Sequence, residues 1–328
     1  MSRVLVTGGA GMIGAAVVRA LLADPAYEVR VSDERAAPQW MREGAEVHTG
    51  DLRMAREAQS AVKGATHVIH LAAIGGGIAS LQKLPHTVAE VNGALTSAVI
   101  RAALEIEVER FVYVSSGMVF ERAELFPTPE DYLPRCPAPC SADGLSKLAG
   151  EASCRAAAEE HGFPYTICRL FNAYGPGEVP GPEPGIAHVL PDLIAKVLSG
   201  QSPLQIFGSG EQTRTLTHVD DIATGIIAAM GSPAGLGEDF NISSAGELTV
   251  TEIARIVWEA CGEEPAAFSL EHLPGFRFDV KRAWPAVGKA RELLGWQAQT
   301  STQDGIAETV RWLRGREQPA AAPASAAV

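Results

Sequence analysis

Positive charge is scarce in this sequence: 27 lysines and arginines against 39 aspartates and glutamates leave a formal net charge of −12. An anionic nucleic-acid backbone or membrane surface would be repelled by that balance, so neither is an expected partner. A small anionic ligand stays compatible, because a helix N-terminus and a few arginines hold phosphate locally. No apolar run approaches the ~20 residues that span a bilayer. The opening "MSRVLVTGG" enters strand-like sequence at once, without a signal-peptide stretch. A cytoplasmic location is the expectation. Cysteine is sparse too, with five residues at 136, 140, 154, 168 and 261. Cys136 and Cys140 form a C-x3-C pair with no second pair or histidine at zinc spacing. Reduced, partly buried thiols are therefore expected, and no metal site.

What is present is ordinary for a soluble enzyme: 46% hydrophobic and 20% charged residues over 328 positions. That length suits one large α/β domain, or a domain with a lobe. Short β-branched runs at 3–8, 27–33, 45–51, 66–73, 110–116 and 164–170 alternate with amphipathic stretches such as 12–23, 86–105 and 144–161. The alternation predicts a parallel sheet with helices on both faces. After about residue 172 Pro/Gly-rich loops intervene, "GPGEVPGPEPG" at 175–185 and "GSGEQTR" at 208–214. Helices are expected near 188–199, 219–230, 249–261, 287–294 and 303–314. The predicted organisation is a dinucleotide-binding domain over 1–172, to which roughly 213–245 returns, and a smaller lobe over 173–212 and 246–314. Residues 315–328 lack an apolar face and read as a disordered tail.

"VLVTGGAGMIGAAVVRALL" sets Gly8, Gly11 and Gly14 at G-x-x-G-x-x-G spacing between a strand and a helix. Such a turn lets backbone approach a pyrophosphate held at the positive end of the helix. Asp33 ends the second strand about twenty residues on, where a carboxylate accepts hydrogen bonds from ribose hydroxyls. It would repel a 2′-phosphate and so favours NAD over NADP, although Arg35 offers a partner for that phosphate. His70 and His218, in or beside apolar strands, read as structural.

The ordered set "TGGAGMIG" (7–14), "GDL" (50–52), "HLAA" (70–73), "VSSGMVF" (114–120), "SK" (146–147), "RLFNAYGPG" (169–177), "IFGSGEQTRTLTHVDD" (206–221) and "KARELLGW" (289–296) resembles the extended short-chain dehydrogenase/reductase superfamily, in its NAD-dependent sugar epimerase/dehydratase group. Within it, "AAIGGGI" (72–78) and "LEHLPG" (270–275) look most like GDP-mannose 3,5-epimerase. The resemblance implies an α/β, Rossmann-type doubly wound parallel sheet with a smaller C-terminal substrate-binding lobe. It implies a retained NAD and a nucleoside-diphosphate sugar as substrate, a hydroxyl being oxidised and hydride then returned. Carried over by motif position, Gly8, Gly11, Met12, Ile13, Gly14, Asp33, Asp51, Leu52, Leu71, Ala72, Ala73, Asn92 and Lys147 would line the dinucleotide. Gly75, Asn172, Val189, Arg214 and Lys281 would meet the sugar nucleotide, with a turn role as the alternative for Asn172. A homodimer through 86–105 and 144–161 is also implied.

The usual trio of such enzymes is a serine or threonine, a tyrosine, and a lysine four residues later. Ser116 and Lys147 match, and Asp143 stands where the phenol is expected. The two groups differ by about 6 pKa units, equivalent to about 8 kcal/mol of proton affinity, so Asp143 is a weak base unless burial raises it. Otherwise Asp143 and Lys147 are an i, i+4 pair. Gly117 and Met118 cannot move a proton, and the loop over 175–188 lacks the lysine expected of 3,5-epimerases. Its titratable groups are Glu178, Glu183 and His188. The expected function is an NAD-dependent nucleotide-sugar epimerase with an altered relay of Ser116, Asp143 and Lys147, or with one of those three loop groups in its place. The alternatives are a 4-ketoreductase or decarboxylase, a non-redox isomerase or lyase using Asp143, and a redox-dead binding protein.

Overall fold

A computed structural model of the chain describes residues 2–183, 185–277 and 279–317. Six strands fall where the β-branched runs are: β1 (Ser2–Thr7), β2 (Tyr27–Asp33), β3 (Glu46–Thr49), β4 (His67–His70), β5 (Arg110–Ser116) and β6 (Tyr165–Leu170). The strand Asp239–Ile242 joins them, giving a seven-stranded sheet ordered Asp239–Ile242, β6, β5, β4, β1, β2, β3, with every pairing parallel. Parallel strands are buried on both faces, which explains their near-continuous apolar sequence. Successive side chains still alternate. Val4, Val6, Ile69, Val112 and Val114 point into one core, and Leu5, Val68, Phe111 and Tyr113 into the other.

The first core is covered by α1 (Met12–Leu22), with α2 (Gln39–Gly44) at its edge; the second is covered by α3 (Ala55–Val62), α5 (Pro85–Glu105) and α6 (Ala142–His161). A short helix, α4 (Ile78–Lys83), precedes α5. Local signals fix the ends of α6: Ser141 Oγ accepts from the Gly144 N–H at 3.1 Å, and Gly162 closes the helix at φ +69°. Farther on come α7 (Val189–Leu198), α8 (Val219–Gly231), α9 (Val250–Ala260), α10 (Gly288–Leu294) and α11 (Thr302–Glu317). Helix α8 returns to the first core, whereas α7, α9 and α11 build a third one around Leu190, Ile194, Ile253, Val257 and Val310. The last helix runs through Glu317, past the expected start of the tail at 315, and residues 318–328 of that expectation lie outside the described residues. Among the described residues no helix is long and apolar enough to cross a membrane.

Strand order reverses between β1 and β4, and at such a point the carboxyl ends of the strands open a crevice between diverging connections. Gly8, Asp33, Asp51, Leu71, Ser116 and Asn172 end or follow the strands at this edge.

Candidate functional site

The turn after β1 is built for close approach. Gly8 lies at φ +70°, and a Cβ there would come within 2.8 Å of the Ala72 nitrogen. A Cβ on Gly14 would sit 2.3 Å from the Gly8 carbonyl oxygen. Helix α1 starts at Gly11 with no side-chain cap, leaving its first N–H groups directed outward. Met12 and Ile13 form its first turn. Asp33 Oδ2 accepts from the Ala10 N–H at 2.9 Å, which ties the acid to the turn. Arg35 grips both Asp33 oxygens at 3.0 Å. Burial raises the Asp33 pKa, but the bonds and charge of Arg35 outweigh it and keep the carboxyl below its ordinary value. Arg35 itself is 63% exposed and lies beside Gly11.

Across the crevice, the loop after β4 is sewn to β1. Leu71 N donates to the Thr7 carbonyl and Ala72 N to Thr7 Oγ1, both at 3.2 Å. Ala73 and Gly75 are exposed there. Asn92, 4% exposed, accepts from Ile74 N at 2.7 Å and donates to Ser146 Oγ at 3.3 Å, so it braces this loop against α6. Asp51 pairs with Arg53 at 2.7 Å, beside the buried Leu52. An uncluttered glycine cradle, an anchored acid and open helical N–H groups fit a dinucleotide.

Ser116 ends β5, and its Oγ accepts from Met118 N at 3.1 Å. Helix α6 starts hard against the turn that follows, since a Cβ on Gly144 would lie 2.7 Å from the Met118 carbonyl oxygen. Glu121 Oε2 clamps that start, accepting from Cys140 N, Ser141 N and Ser141 Oγ at 3.1, 2.9 and 2.8 Å. Lys147 extends beneath the helix and donates to the Val114 carbonyl at 2.9 Å. Burial lowers its pKa, opposed by Asp143 and Glu151. Among the described residues no ion pair joins Asp143 to Lys147, and no donor bonds the Asp143 carboxyl. Burial raises the Asp143 pKa, with Lys147 and His188 opposing and Glu121 reinforcing.

The loop over 175–188 divides its three titratable groups. Glu183 is surface-bound, 67% exposed and paired with Lys83 at 2.8 Å. Glu178 and His188 form a dyad: Oε1 of the acid accepts from His188 Nδ1 at 2.7 Å and from the His188 N–H at 3.0 Å. His188 lies in electrostatic reach of Asp143. Burial disfavours imidazolium, yet Glu178, Asp143 and Asp192 outweigh it and raise the His188 pKa. The loop is placed by Gly77, whose N–H donates to the Ile186 carbonyl at 2.8 Å; a Cβ there would meet the Ala187 oxygen at 2.0 Å. Val189 follows His188 as the first residue of α7.

Asn172, at φ +37°, accepts from Thr215 N at 3.3 Å, so its side chain already serves the turn. Arg214 donates to the Val280 carbonyl at 2.7 Å and pairs with Asp279, while the Lys281 carbonyl accepts from Thr213 N at 3.0 Å. Arg214 and Lys281 are thereby brought together, with Arg214 engaged by an acid that the sequence reading had not marked. His70 is a satisfied core histidine, held by Thr7 Oγ1 at 2.8 Å; burial, aided by the Lys147 charge, lowers its pKa to about 3. His218 differs from expectation. Its Nδ1 accepts weakly from Asp220 N at 3.4 Å, and the buried Nε2 has no hydrogen-bond partner among the described residues, standing 3.7 Å from Glu308. All five cysteines are free thiols, Cys140 exposed and Cys136 partly so.

Glu151, one turn beyond Lys147, belongs to none of the motifs in the sequence. Glu151 and Arg169 are both wholly buried and joined by two bonds of 2.8 and 2.7 Å; Ser115 Oγ donates to the same acid at 2.7 Å. Its i, i+4 partner Arg155 was the only local signal.

Against known proteins, the profile described as "NAD dependent epimerase/dehydratase family" matches residues 4–243. UDP-glucose 4-epimerase of Mycolicibacterium smegmatis is 32% identical over 96% of this chain and 100% of its own length. Among solved structures, UDP-glucose 4-epimerase of Thermotoga maritima with UDP-glucose superposes at TM-score 0.86, with 28% identity over 96% of this chain and 100% of that one. UDP-glucuronic acid 4-epimerase of Bacillus cereus, in complex with UDP-glucuronic acid and NAD, gives TM-score 0.85 and 27% identity over 96% and 99%.

Proposed function

Because the chain belongs to the NAD-dependent epimerase/dehydratase family of enzymes, we propose that it is a nucleotide-sugar epimerase working through tightly held NAD and an altered proton relay. NAD supplies a hydride acceptor and donor when bound. Gly8, Gly11 and Gly14 give it room, Met12 and Ile13 present helix N–H groups, and Asp33 takes the ribose. Asp51, Leu52, Leu71, Ala72, Ala73 and Asn92 complete the walls. The third core, with Val189 at its edge, serves as the substrate lobe. Gly75, Asn172, Arg214 and Lys281 face the sugar nucleotide, Arg214 exchanging Asp279 for a diphosphate oxygen.

One observation supports this reading above the others: Lys147, Ser116 and Asp143 share the carboxyl edge of the sheet with the glycine turn. Asp143 takes the place of the customary phenol. Its burial moves its proton affinity toward that of a working acid/base. UDP-sugars come first as substrates, since the similar proteins named above act on or hold them. GDP-sugars are the second arm, given the stretches at 72–78 and 270–275. The exposed outer positions of the two long helices, Ala89, Gly93 and Ser97 on α5 with Leu145, Ala149 and Ala152 on α6, suit a homodimer. The test is turnover of a UDP- and GDP-sugar panel by the purified protein, followed by NMR of the epimers. No product with any sugar would refute the reading.

A second reading, a redox-dead protein that only binds NAD and sugar nucleotide, is favoured by Asp143 itself. Asp143→Tyr separates the two. An enzyme adapted to aspartate loses activity, whereas a binding protein keeps its affinities and has no turnover to lose.

A further inference from the structure

We propose that His188 is the catalytic residue that takes the proton from the substrate hydroxyl, with Glu178 as its positioning residue. The inference rests on the epimerase reading above and identifies the group that completes its relay.

The geometry is that of an oriented base. One oxygen of Glu178 receives both the backbone N–H and Nδ1 of His188, at 3.0 and 2.7 Å. A carboxylate can only accept, so the proton of a neutral imidazole is held on Nδ1 and the lone pair is left on Nε2. Glu178 is itself well covered, its side chain 18% exposed, and its Oε2 finds no partner among the described residues. The acid therefore has one task, holding the ring. The His188 side chain is 49% exposed although protein surrounds it closely, as expected for a group lining an open cleft. The Asp143 carboxyl on α6 lies within electrostatic reach of the ring and has no donor of its own among the described residues. Lys147, four residues along that helix, acts on the Asp143 carboxyl through its charge. Asp192, in the first turn of α7, adds its negative charge to the ring's surroundings. The backbone is fixed as well, because Gly77 N and Ala79 N clasp the carbonyls of Ile186 and Gly185 at 2.8 and 3.0 Å.

The chemistry assigned to this residue is a proton transfer. The hydroxyl O–H bond breaks, its electron pair stays on oxygen, and an N–H bond forms at Nε2. On the return the same N–H gives its proton back. The imidazolium that forms between is flanked by Glu178, Asp143 and Asp192, so it gains where a lone aspartate base would have faced a large deficit in proton affinity. Asp143 thus acts through its charge rather than as the sole base.

The test uses the NAD-loaded protein, 15N-labelled at histidine, and three variants. His188→Asn keeps a good helix N-cap, so folding is preserved. Its expected result is a kcat loss of about a hundredfold or more, with KM for the sugar nucleotide and NAD affinity unchanged. Glu178→Gln should lower the NMR titration midpoint of the His188 ring, and move the acidic limb of the kcat/KM profile down with it. Glu183→Gln, on the outer surface, should match wild type. Two results overturn the proposal: near-normal turnover by His188→Asn, or an unmoved ring midpoint in Glu178→Gln. If wild type itself turns over no sugar nucleotide, the epimerase reading falls instead, a result told apart from these by the wild-type assay alone.

Discussion

Replacing Glu151 with glutamine should destabilise the platform under the site without changing any site residue itself. Glu151 is wholly buried and accepts four hydrogen bonds: from Ser115 Oγ at 2.7 Å, Arg169 Nε and Nη2 at 2.8 and 2.7 Å, and Arg155 at 3.1 Å. Glutamine keeps the volume but removes the charge and turns one acceptor into a donor. Arg169, also wholly buried, keeps among the described residues only Asp239 at 2.6 Å as an anionic partner, and its Nη1 already has no hydrogen bond among them. Removing one member of a buried pair costs about 3–5 kcal/mol, because the other charge stays buried. An exposed pair such as Arg3–Glu28, 42% and 48% exposed, should lose roughly 0.2–1 kcal/mol in Glu28→Gln. Urea unfolding followed by circular dichroism measures both. A Glu151→Gln loss no larger than that of Glu28→Gln would refute the claim that this network carries α6.

Further predictions concern the cradle and the pH response. Gly14→Ala places a methyl 2.3 Å from the Gly8 carbonyl oxygen, so it should cost about 1–3 kcal/mol and weaken NAD binding, read by thermal melts and calorimetry. Asp33→Asn removes the repulsion of a 2′-phosphate and frees Arg35 to meet it, so the NADP-to-NAD affinity ratio should rise roughly tenfold, a shift of about 1.4 kcal/mol by titration. The Glu178–His188 dyad gives stability a defined pH window. The His188 pKa is raised on folding, so its contribution is complete below about 6.5 and fades as pH climbs through the folded value. Glu178 is lowered by His188 despite burial, so its share is present above about 4.3 and fades as pH falls. Denaturation of wild type and Glu178→Gln across pH 5–9 should show the variant's deficit largest near pH 5–6 and shrinking above neutrality; a constant deficit would contradict the assignment.

Much of the fold was legible because its signals are local. The six β-branched runs and the long helices correspond to observed elements, with strand ends displaced by up to three residues, as at 66–73, where the strand stops at His70 and a loop continues. Gly8 and Gly14 announced their turn through their spacing between an apolar strand run and an amphipathic helix run. The strand at Asp239–Ile242 carried no such mark: it is short and pairs with β6 across some seventy positions. Distance along the chain also hid the Arg169–Glu151–Asp239 network and the Arg214–Asp279 pair, with partners 18 to 70 positions apart, since such charge partners leave no periodicity. Glu178, Glu183 and His188 were visible as a set of three. Which two pair depended on the backbone path of the loop, and that path is fixed by Gly77 from another segment.

The central claim is that hydride leaves and re-enters the same sugar through NAD held at the glycine turn. The direct measurement is the fate of a deuterium placed on the reacting carbon of a UDP-hexose, incubated in ordinary water with the NAD-loaded protein and followed by NMR and mass spectrometry. The account predicts an epimer that keeps the label at that carbon. An epimer in which solvent hydrogen has replaced it would contradict the account.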